Sequence, residues 1–313
     1  MNLKQLRILR EIVRSKYNVT DAASALYTSQ SGVSKHIKDL EDELGVELFE
    51  RRGKRLLGLT EPGAQVLSIV DRVLLEADNI RQVASKFSDD KGGTLTIVTT
   101  HTQSRYTLPQ VFTQFRKIYK NVEVVLLQAH PGDVPQFLIE GRADIGLATD
   151  TLEGNPDLLT FPSYSWEHCV VVPKGHPLLK QSAVTLATLA EYPLITYHTG
   201  LTGRRQIDAA FQKHQLRPRI TMAAIDSDVI KAYVELDFGV GIIASMAFIP
   251  SRDTKLQKLK AAHLFQPSTT CIAVRRGRIL KDYAYRFIEM CAPKVTKEVV
   301  QAAEEAANVR GLD

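Results

Sequence analysis

Cysteine is scarce: Cys169, Cys271 and Cys291 are the only three in 313 residues, and they lie far apart. An odd, scattered set cannot frame a disulfide scaffold, and no CxxC pair offers a zinc site. Long apolar runs are missing too, and no segment approaches the roughly 18 uninterrupted apolar residues of a membrane span. The opening MNLKQLRILREIVRSKYNV carries a charge every few residues and so lacks the apolar core of a secretory leader. A cytoplasmic protein with no membrane partner is expected. Equally absent are internal repeats, low-complexity tracts, a Walker-type loop and any nucleophile–base pairing that would announce an enzyme. Gly239-Val240-Gly241 lacks the spacing of a nucleotide fingerprint and reads as a tight helix-to-strand turn. His101 has no companions at metal-ligand spacing. No catalytic residue, metal or cofactor is therefore expected.

What is present is an ordinary globular composition, 44% hydrophobic and 24% charged, in a chain long enough for two or three domains. The net charge of +5 suits nucleic-acid binding, but many enzymes carry as much, so charge alone decides nothing.

The first segment places Leu3, Leu6, Leu9, Ile12 and Val13 at helical spacing. Thr20 can cap a second helix that buries Ala22, Ala23 and Leu26. After a turn at Tyr27-Thr28, Ser29 can cap a third, with Val33, Ile37, Leu40 and Leu44 inward and Gly45 as its stop. From Thr28 to Lys38 there is no acid; Asp39, Glu41, Asp42 and Glu43 follow. VELFERRGKRLLGLT then reads as a hairpin turning at Arg52-Gly53-Lys54, a wing. Residues 1–59 hold eleven basic and eight acidic side chains, a net +3, with the acids gathered late in the third helix. Thr60-Glu61-Pro62 opens a long amphipathic helix whose Leu67, Val70, Val73, Leu74, Ala77, Ile80 and Ala84 have heptad-like spacing. Ser88-Asp89-Asp90-Lys91-Gly92-Gly93 reads as a linker.

Beyond it, TLTIVTT, VEVVLLQ, ADIGLAT, HCVVVP, PLITYH, RITMAA, VGIIA and CIAVRR read as strands alternating with helical patterns. That alternation predicts mostly parallel α/β sheets, and the length predicts two lobes joined by crossing strands. The expected fold class is α/β overall, with an N-terminal winged helix-turn-helix over 1–59, a linker and dimerisation helix with hinge over 60–92, and an effector domain over 93–313. Its lobe I spans about 93–163 and 268–292, and lobe II about 164–267.

The stretches LRILREIV and DAASALYTSQSGVSKHIKDLEDELGVELFERRGKRLLGLTEPG resemble the LysR-type transcriptional regulators. TTHTQSRYTLP, ADIGLATD, YPLITYHTGLTGR, DSDVIKAYVELDFGVGIIASMA and STTCIAVRRG resemble a narrower branch, the CysB and Cbl regulators of sulfur assimilation. The resemblance covers nearly the whole chain. Ser31 departs from the proline common in the branch, and Asp237-Phe238 from a more usual Leu-Gly pair. The resemblance implies a periplasmic-binding-protein-like effector domain, a dimer or dimer of dimers, promoter DNA as partner, and RNA polymerase as a further one.

A recognition helix fits the major groove, and its polar face here offers Ser29, Gln30, Ser31, Ser34 and Lys35. Gln30 can pair with adenine and Lys35 with guanine, while Thr28, Lys38, Arg51 and Arg52 suit phosphates. A second site is expected where Thr99-Thr100-His101-Thr102-Gln103, Thr149 and Thr199-Gly200-Leu201-Thr202-Gly203 end strands or open helices. Such ends carry free N–H donors and lie where α/β sheets bind ligands. The resemblance implies that Thr100, Thr102, Gln103, Thr149 and Thr202 hold a small effector of the sulfate, thiosulfate, O- or N-acetylserine, or adenylyl sulfate class. An enzyme acting on a sulfur or phosphate compound and a solute-binding protein are the alternatives, beside a LysR-type regulator of another pathway with a different small-molecule effector. The first lacks catalytic machinery in the sequence; the second lacks a leader and has a helix-turn-helix it would not need.

Overall fold

A computed structural model describes residues 1–85 and 92–310, so of the polar stretch read as the linker only Gly92 and Gly93 fall within the described residues. The chain divides into two compact units, one N-terminal with Gly277–Ile279 added, the other holding the remaining residues.

In the N-terminal unit, α1 (Leu3–Arg14) starts in a reciprocal capping box between Asn2 and Gln5 and buries Leu6, Ile8, Leu9 and Ile12. Leu3 stays exposed. Asn18, not Thr20, caps α2 (Val19–Ala25): its side chain accepts from the Thr20 and Asp21 amides. An amide oxygen at Asn18 starts the helix two residues earlier than a Thr20 cap would. The Ser29 hydroxyl accepts from the Gly32 amide to cap α3 (Gln30–Leu44), and Gly45 ends it at φ +69°.

One residue of the α3 inner face differs from expectation. Leu44 is exposed, and Glu41 is buried in its stead. The Glu41 carboxylate accepts from the Leu48 and Phe49 amides at 2.8 and 3.3 Å and pairs with Arg51. It thereby supplies partners to strand donors that α3 would otherwise bury unpaired. The wing is β1 (Phe49–Arg52) antiparallel to β2 (Arg55–Leu59). Thr60 then caps α4 (Glu61–Ser85) by accepting from the Gly63 amide at 3.0 Å.

The seam expected on α4 is corrected. Val70 and Leu74 are buried, and with Leu67 they pack into the core of α1–α3 and the wing. The face left open carries Ile69, Val73 and Ile80, which with Leu3 line a shallow apolar groove.

The second unit opens with β3 (Gly93–Thr99), α5 (Leu108–Ile118), β4 (Val122–Gln128), α6 (Val134–Ile139), β5 (Ile145–Thr149) and β6 (Leu158–Trp166). It continues with β7 (His168–Pro173), α7 (Leu186–Ala190), β8 (Leu194–Tyr197), α8 (Thr202–Lys213), β9 (Ile220–Ala224), α9 (Ser227–Glu235), β10 (Val240–Ala244) and β11 (Leu256–Lys260). It closes with β12 (Ser268–Arg275), α10 (Asp282–Cys291) and α11 (Lys297–Arg310). Two five-stranded sheets result, ordered β4-β3-β5-β12-β6 and β11-β7-β10-β8-β9. In the first, β4, β3 and β5 are parallel, and β12 runs antiparallel to both β5 and β6. In the second, β10, β8 and β9 are parallel and β7 is antiparallel to β10 and β11. The sheets are thus mixed rather than mostly parallel. The chain passes between them twice, from β6 into β7 and from β11 to β12. The parallel strands of both sheets deliver their carboxyl ends to one cleft, which is where helices can begin facing a ligand. Asp237 holds φ +61° in the turn before β10, a backbone state that glycine or Asp tolerates.

Candidate functional site

On α3 and the wing, Ser29, Gln30, Ser31, Ser34, Lys35, Lys38, Arg51 and Arg52 are all exposed, and Thr28 is half-buried. They are not equally free. The Ser29 hydroxyl is spent on the helix cap and lies 3.1 Å from that of Ser31. The Arg51 guanidinium is paired with Glu41, so Arg51 buttresses the wing rather than projecting as a free cation. Gln30 shares a groove with Asn18, Thr20, Lys54 and Arg55. Lys54 and Arg55, in the wing, were not among the residues expected to meet DNA, although a basic pair beside a wing turn was visible in the sequence.

In the second unit, one cavity of about 300 Å³ is lined by Thr100, Thr102, Gln103, Thr149 and Thr202, the full set expected from sequence. A helical turn starts at His101, continues through a π turn at Gln103–Thr107 and runs into α5. Its first bond runs from the Ser104 amide to the Thr100 carbonyl, 3.1 Å. The amides before it have no acceptor within the helix. α8 begins opposite with no side-chain cap, its first residues Thr202 and Gly203 also on the cavity wall. Two helix starts thus aim unspent N–H groups and positive dipole ends at one space.

The five side chains divide by what they already bond. The Gln103 amide donates to Thr270 Oγ1 at 3.1 Å and accepts from Tyr164, with its residue nearly wholly buried. Thr202 Oγ1 donates to the Thr149 carbonyl at 3.0 Å, a tie from one lobe to the other. Thr149 Oγ1 lies 3.2 Å from Thr270 Oγ1 and accepts from the Trp166 indole at 3.3 Å. Only the Thr100 and Thr102 hydroxyls have no hydrogen bond among the described residues. Gln103, Thr149 and Thr202 hold the cavity's shape.

Among the described residues, no lysine or arginine lines the cavity. Arg204 is held by Asp208 and the Tyr197 carbonyl, and Arg105 by Asp228. The Asp228 carboxylate also accepts from the Tyr106 hydroxyl at 2.7 Å, a further link from lobe I to lobe II beside the Arg105 pair. Burial pushes Asp228 up, but the Tyr106 hydrogen bond with Lys231, Arg105 and His101 outweighs it and holds the carboxyl below its usual range. His101, Asp226 and Asp228 present atoms within 4.8 Å of one another. With Arg105 and Lys231 already on Asp228, a metal ion there would face two cations. Burial, first of all, pushes the thiols of Cys169, Cys271 and Cys291 up to about 12, so none offers a thiolate nucleophile at neutral pH.

His101, Gln128, Ala129, His130, Pro131, Trp166, Tyr197, Leu201, Ile225 and Ala244 complete the described wall. Gln128, Tyr197 and Ala244 end strands, so the rule that found the threonines would have found them. Immediately behind the wall lies His168, 1% exposed, with neither ring nitrogen hydrogen-bonded among the described residues.

Residues 3–64 match the family model described as bacterial regulatory helix-turn-helix protein, lysR family, and residues 88–295 match LysR substrate binding domain. The HTH-type transcriptional regulator SsuR of Burkholderia cenocepacia is 52% identical, over 98% of this chain and 100% of its own. The HTH-type transcriptional regulator cbl of Escherichia coli is 45% identical, over 97% of this chain and 98% of its own. Among solved structures, the cofactor-binding domain of the Cbl transcriptional regulator is 40% identical with a TM-score of 0.66, covering 69% of this chain and 95% of that one.

Burial lowers the His168 imidazole from 6.5 to about 4. Between those pH values the unfolded chain takes up a proton that the folded one refuses. Stability present above pH 6.5 is therefore lost as pH falls toward 4, by about 2 kcal/mol at pH 4.5. Urea unfolding at pH 7 and 4.5 should show this extra acid loss in the parent and not in His168→Phe; equal losses in both would contradict it.

Proposed function

The chain belongs to the LysR family of bacterial transcriptional regulators, and from that premise we propose that it governs sulfur-assimilation genes in response to a small oxyanion-bearing effector bound between the lobes. As a member of the family it binds promoter DNA and a small-molecule effector, and its relatives are named as regulators, not enzymes. The effector class is sulfate, thiosulfate, an O- or N-acetylserine, or adenylyl sulfate. One observation carries this reading: two uncapped helix starts and the free hydroxyls of Thr100 and Thr102 meet in a cavity whose described wall holds no lysine or arginine. Hydrogen-bond donors without a fixed positive charge suit a weakly basic oxyanion, because its charge is met by dipoles and not by an ion pair.

The DNA-reading residues are Gln30, Ser31, Ser34 and Lys35 on α3, with Thr28, Lys38 and Arg52 on phosphates and Ser29 fixing the start of the helix. Arg51 contributes through the wing. One such module reads too few bases for a specific site, so a second copy is needed, and the open face of α4 fits it. A dimer of dimers in the cytoplasm, contacting RNA polymerase at the promoter, completes the reading. The effector shifts the lobes only as far as it binds one arrangement better than the other.

Thr100→Val keeps shape and deletes a donor. The variant should fold and bind its operator, yet lose about 1–3 kcal/mol of effector affinity and with it the ligand-dependent footprint. Gln30→Ala or Lys35→Ala should cost about 1–3 kcal/mol at the operator alone, whereas Arg52→Ala should weaken all DNA alike and flatten the salt dependence. Calorimetry and gel shifts check these; unchanged effector affinity in Thr100→Val removes the cavity as the effector site.

For assembly, Val73→Glu and Ile80→Glu should leave the winged unit folded but dissociate the oligomer in sedimentation. Leu74→Glu should unfold the unit instead, because Leu74 is in its core. An unchanged oligomer in Val73→Glu and Ile80→Glu would exclude this face.

A further inference from the structure

The two segments that cross between the lobes carry three of the buried polar atoms left without a hydrogen bond among the described residues. His168 begins β7 and Ser268 begins β12, each 1% exposed. Both imidazole nitrogens and the Ser268 hydroxyl are buried without a well-formed hydrogen bond among the described residues, the Gly203 backbone being the one polar group set against the imidazole. Buried polar atoms are paired almost without exception, since each lost bond to water must be replaced. Three unpaired atoms on adjoining segments therefore ask for an occupant absent from this state.

Their surroundings point to the effector cavity. Ser268 sits opposite Trp166 in the ladder between β12 and β6, and the Trp166 and His168 rings lie 5.0 Å apart, so Trp166 stands beside both. Trp166, Gly203 and Ala244 all touch His168 or pair with it, and all three line the cavity. A Cβ on Gly203 would come within 3.3 Å of His168 Nε2 and 2.9 Å of the Tyr197 ring, so glycine there lets the start of α8 close over the imidazole. Trp166 is held by a 3.3 Å bond to Thr149 Oγ1, a residue expected to meet the ligand. A ligand that takes Thr149 frees the indole and opens a path to His168. The cavity of about 300 Å³ is also more than a bare tetrahedral oxyanion fills.

We propose that His168 and Ser268 form a second polar end of the effector site, reached past Trp166, which selects ligands carrying a hydrogen-bonding group beyond their anionic end. This rests on the reading of the cavity as the effector site. A neutral imidazole donates one hydrogen bond and accepts one, and a serine hydroxyl adds a third, a match for an amide or a hydroxyl. The acetylserines have that form; inorganic sulfate does not.

The experiment uses the full chain, with N-acetylserine, O-acetylserine and inorganic sulfate as probes. His168→Phe and Ser268→Ala remove the unpaired atoms. Each variant should melt at or above the parent temperature at pH 7, because a cost has been removed. Each should bind whichever acetylserine the parent prefers about tenfold more weakly, the worth of one buried hydrogen bond. Sulfate binding should not change. Thr100→Val should lose both probes, which tests the cavity itself. If His168→Phe and Ser268→Ala keep full acetylserine affinity, or weaken sulfate equally, the proposal fails while the cavity reading stands. A lower melting temperature in both variants would also overturn it, since the groups would then be satisfied without ligand. A parent that binds sulfate but neither acetylserine overturns the proposal alone, and one that binds none of the three overturns both readings.

Discussion

A helix that starts inside a cleft has N–H groups its own backbone cannot satisfy, and this constraint organises the second unit. Two helices start there, one at His101 and one at Thr202, at the carboxyl ends of β3 and β8. A polar group taken from water without a partner costs about 1–3 kcal/mol. Leaving such donors open makes sense only if something returns to them. The absence of lysine and arginine from the wall sharpens the point, because dipoles are then the main source of positive potential.

The same economy explains how the lobes are held. Thr202 donates to the Thr149 carbonyl, and Tyr106 donates to Asp228. Both ties cross between lobes, as do the Arg105–Asp228 and Arg205–Asp150 ion pairs and the Lys231–Tyr106 hydrogen bond, and each is individually modest. A ligand bonded to Thr149 and to the start of α8 competes with the first tie and reinforces closure by its own contacts. A tightly packed lobe interface would leave no equilibrium to shift; a few hydrogen bonds over a cavity leave one within reach of a small molecule's binding energy.

The winged unit was legible because its signals are local: helix period, Ser29 as cap, Gly45 as stop. What local signals could not say was which of several similar residues does a given job. Asn18 and Thr20 can both cap, and the structure uses Asn18. Glu41 looked like one more member of an acidic surface run, yet it is the buried acceptor for the Leu48 and Phe49 amides. On α4 a heptad-like spacing marks an apolar stripe without saying what covers it, and the winged core claims Val70 and Leu74. In the effector unit, β6 was missed because Pro162 and alternating serines interrupt its apolar pattern, and β11 because LQKLK is a polar edge strand. The five residues expected to hold the effector, read from strand ends and resemblance together, all line the one cavity. His168 was invisible inside HCVVVP, because nothing local marks a buried imidazole as unpaired.

The central claim is that one ligand bridges the starts of two helices. Amide hydrogen exchange on the full chain, with and without saturating N-acetylserine or sulfate, tests it most directly. The account predicts slower exchange at His101–Gln103 and at Thr202–Gly203 together, with no change on α3 of the DNA-free protein. Protection at only one of the two helix starts, or at neither while ligand is bound, would contradict it.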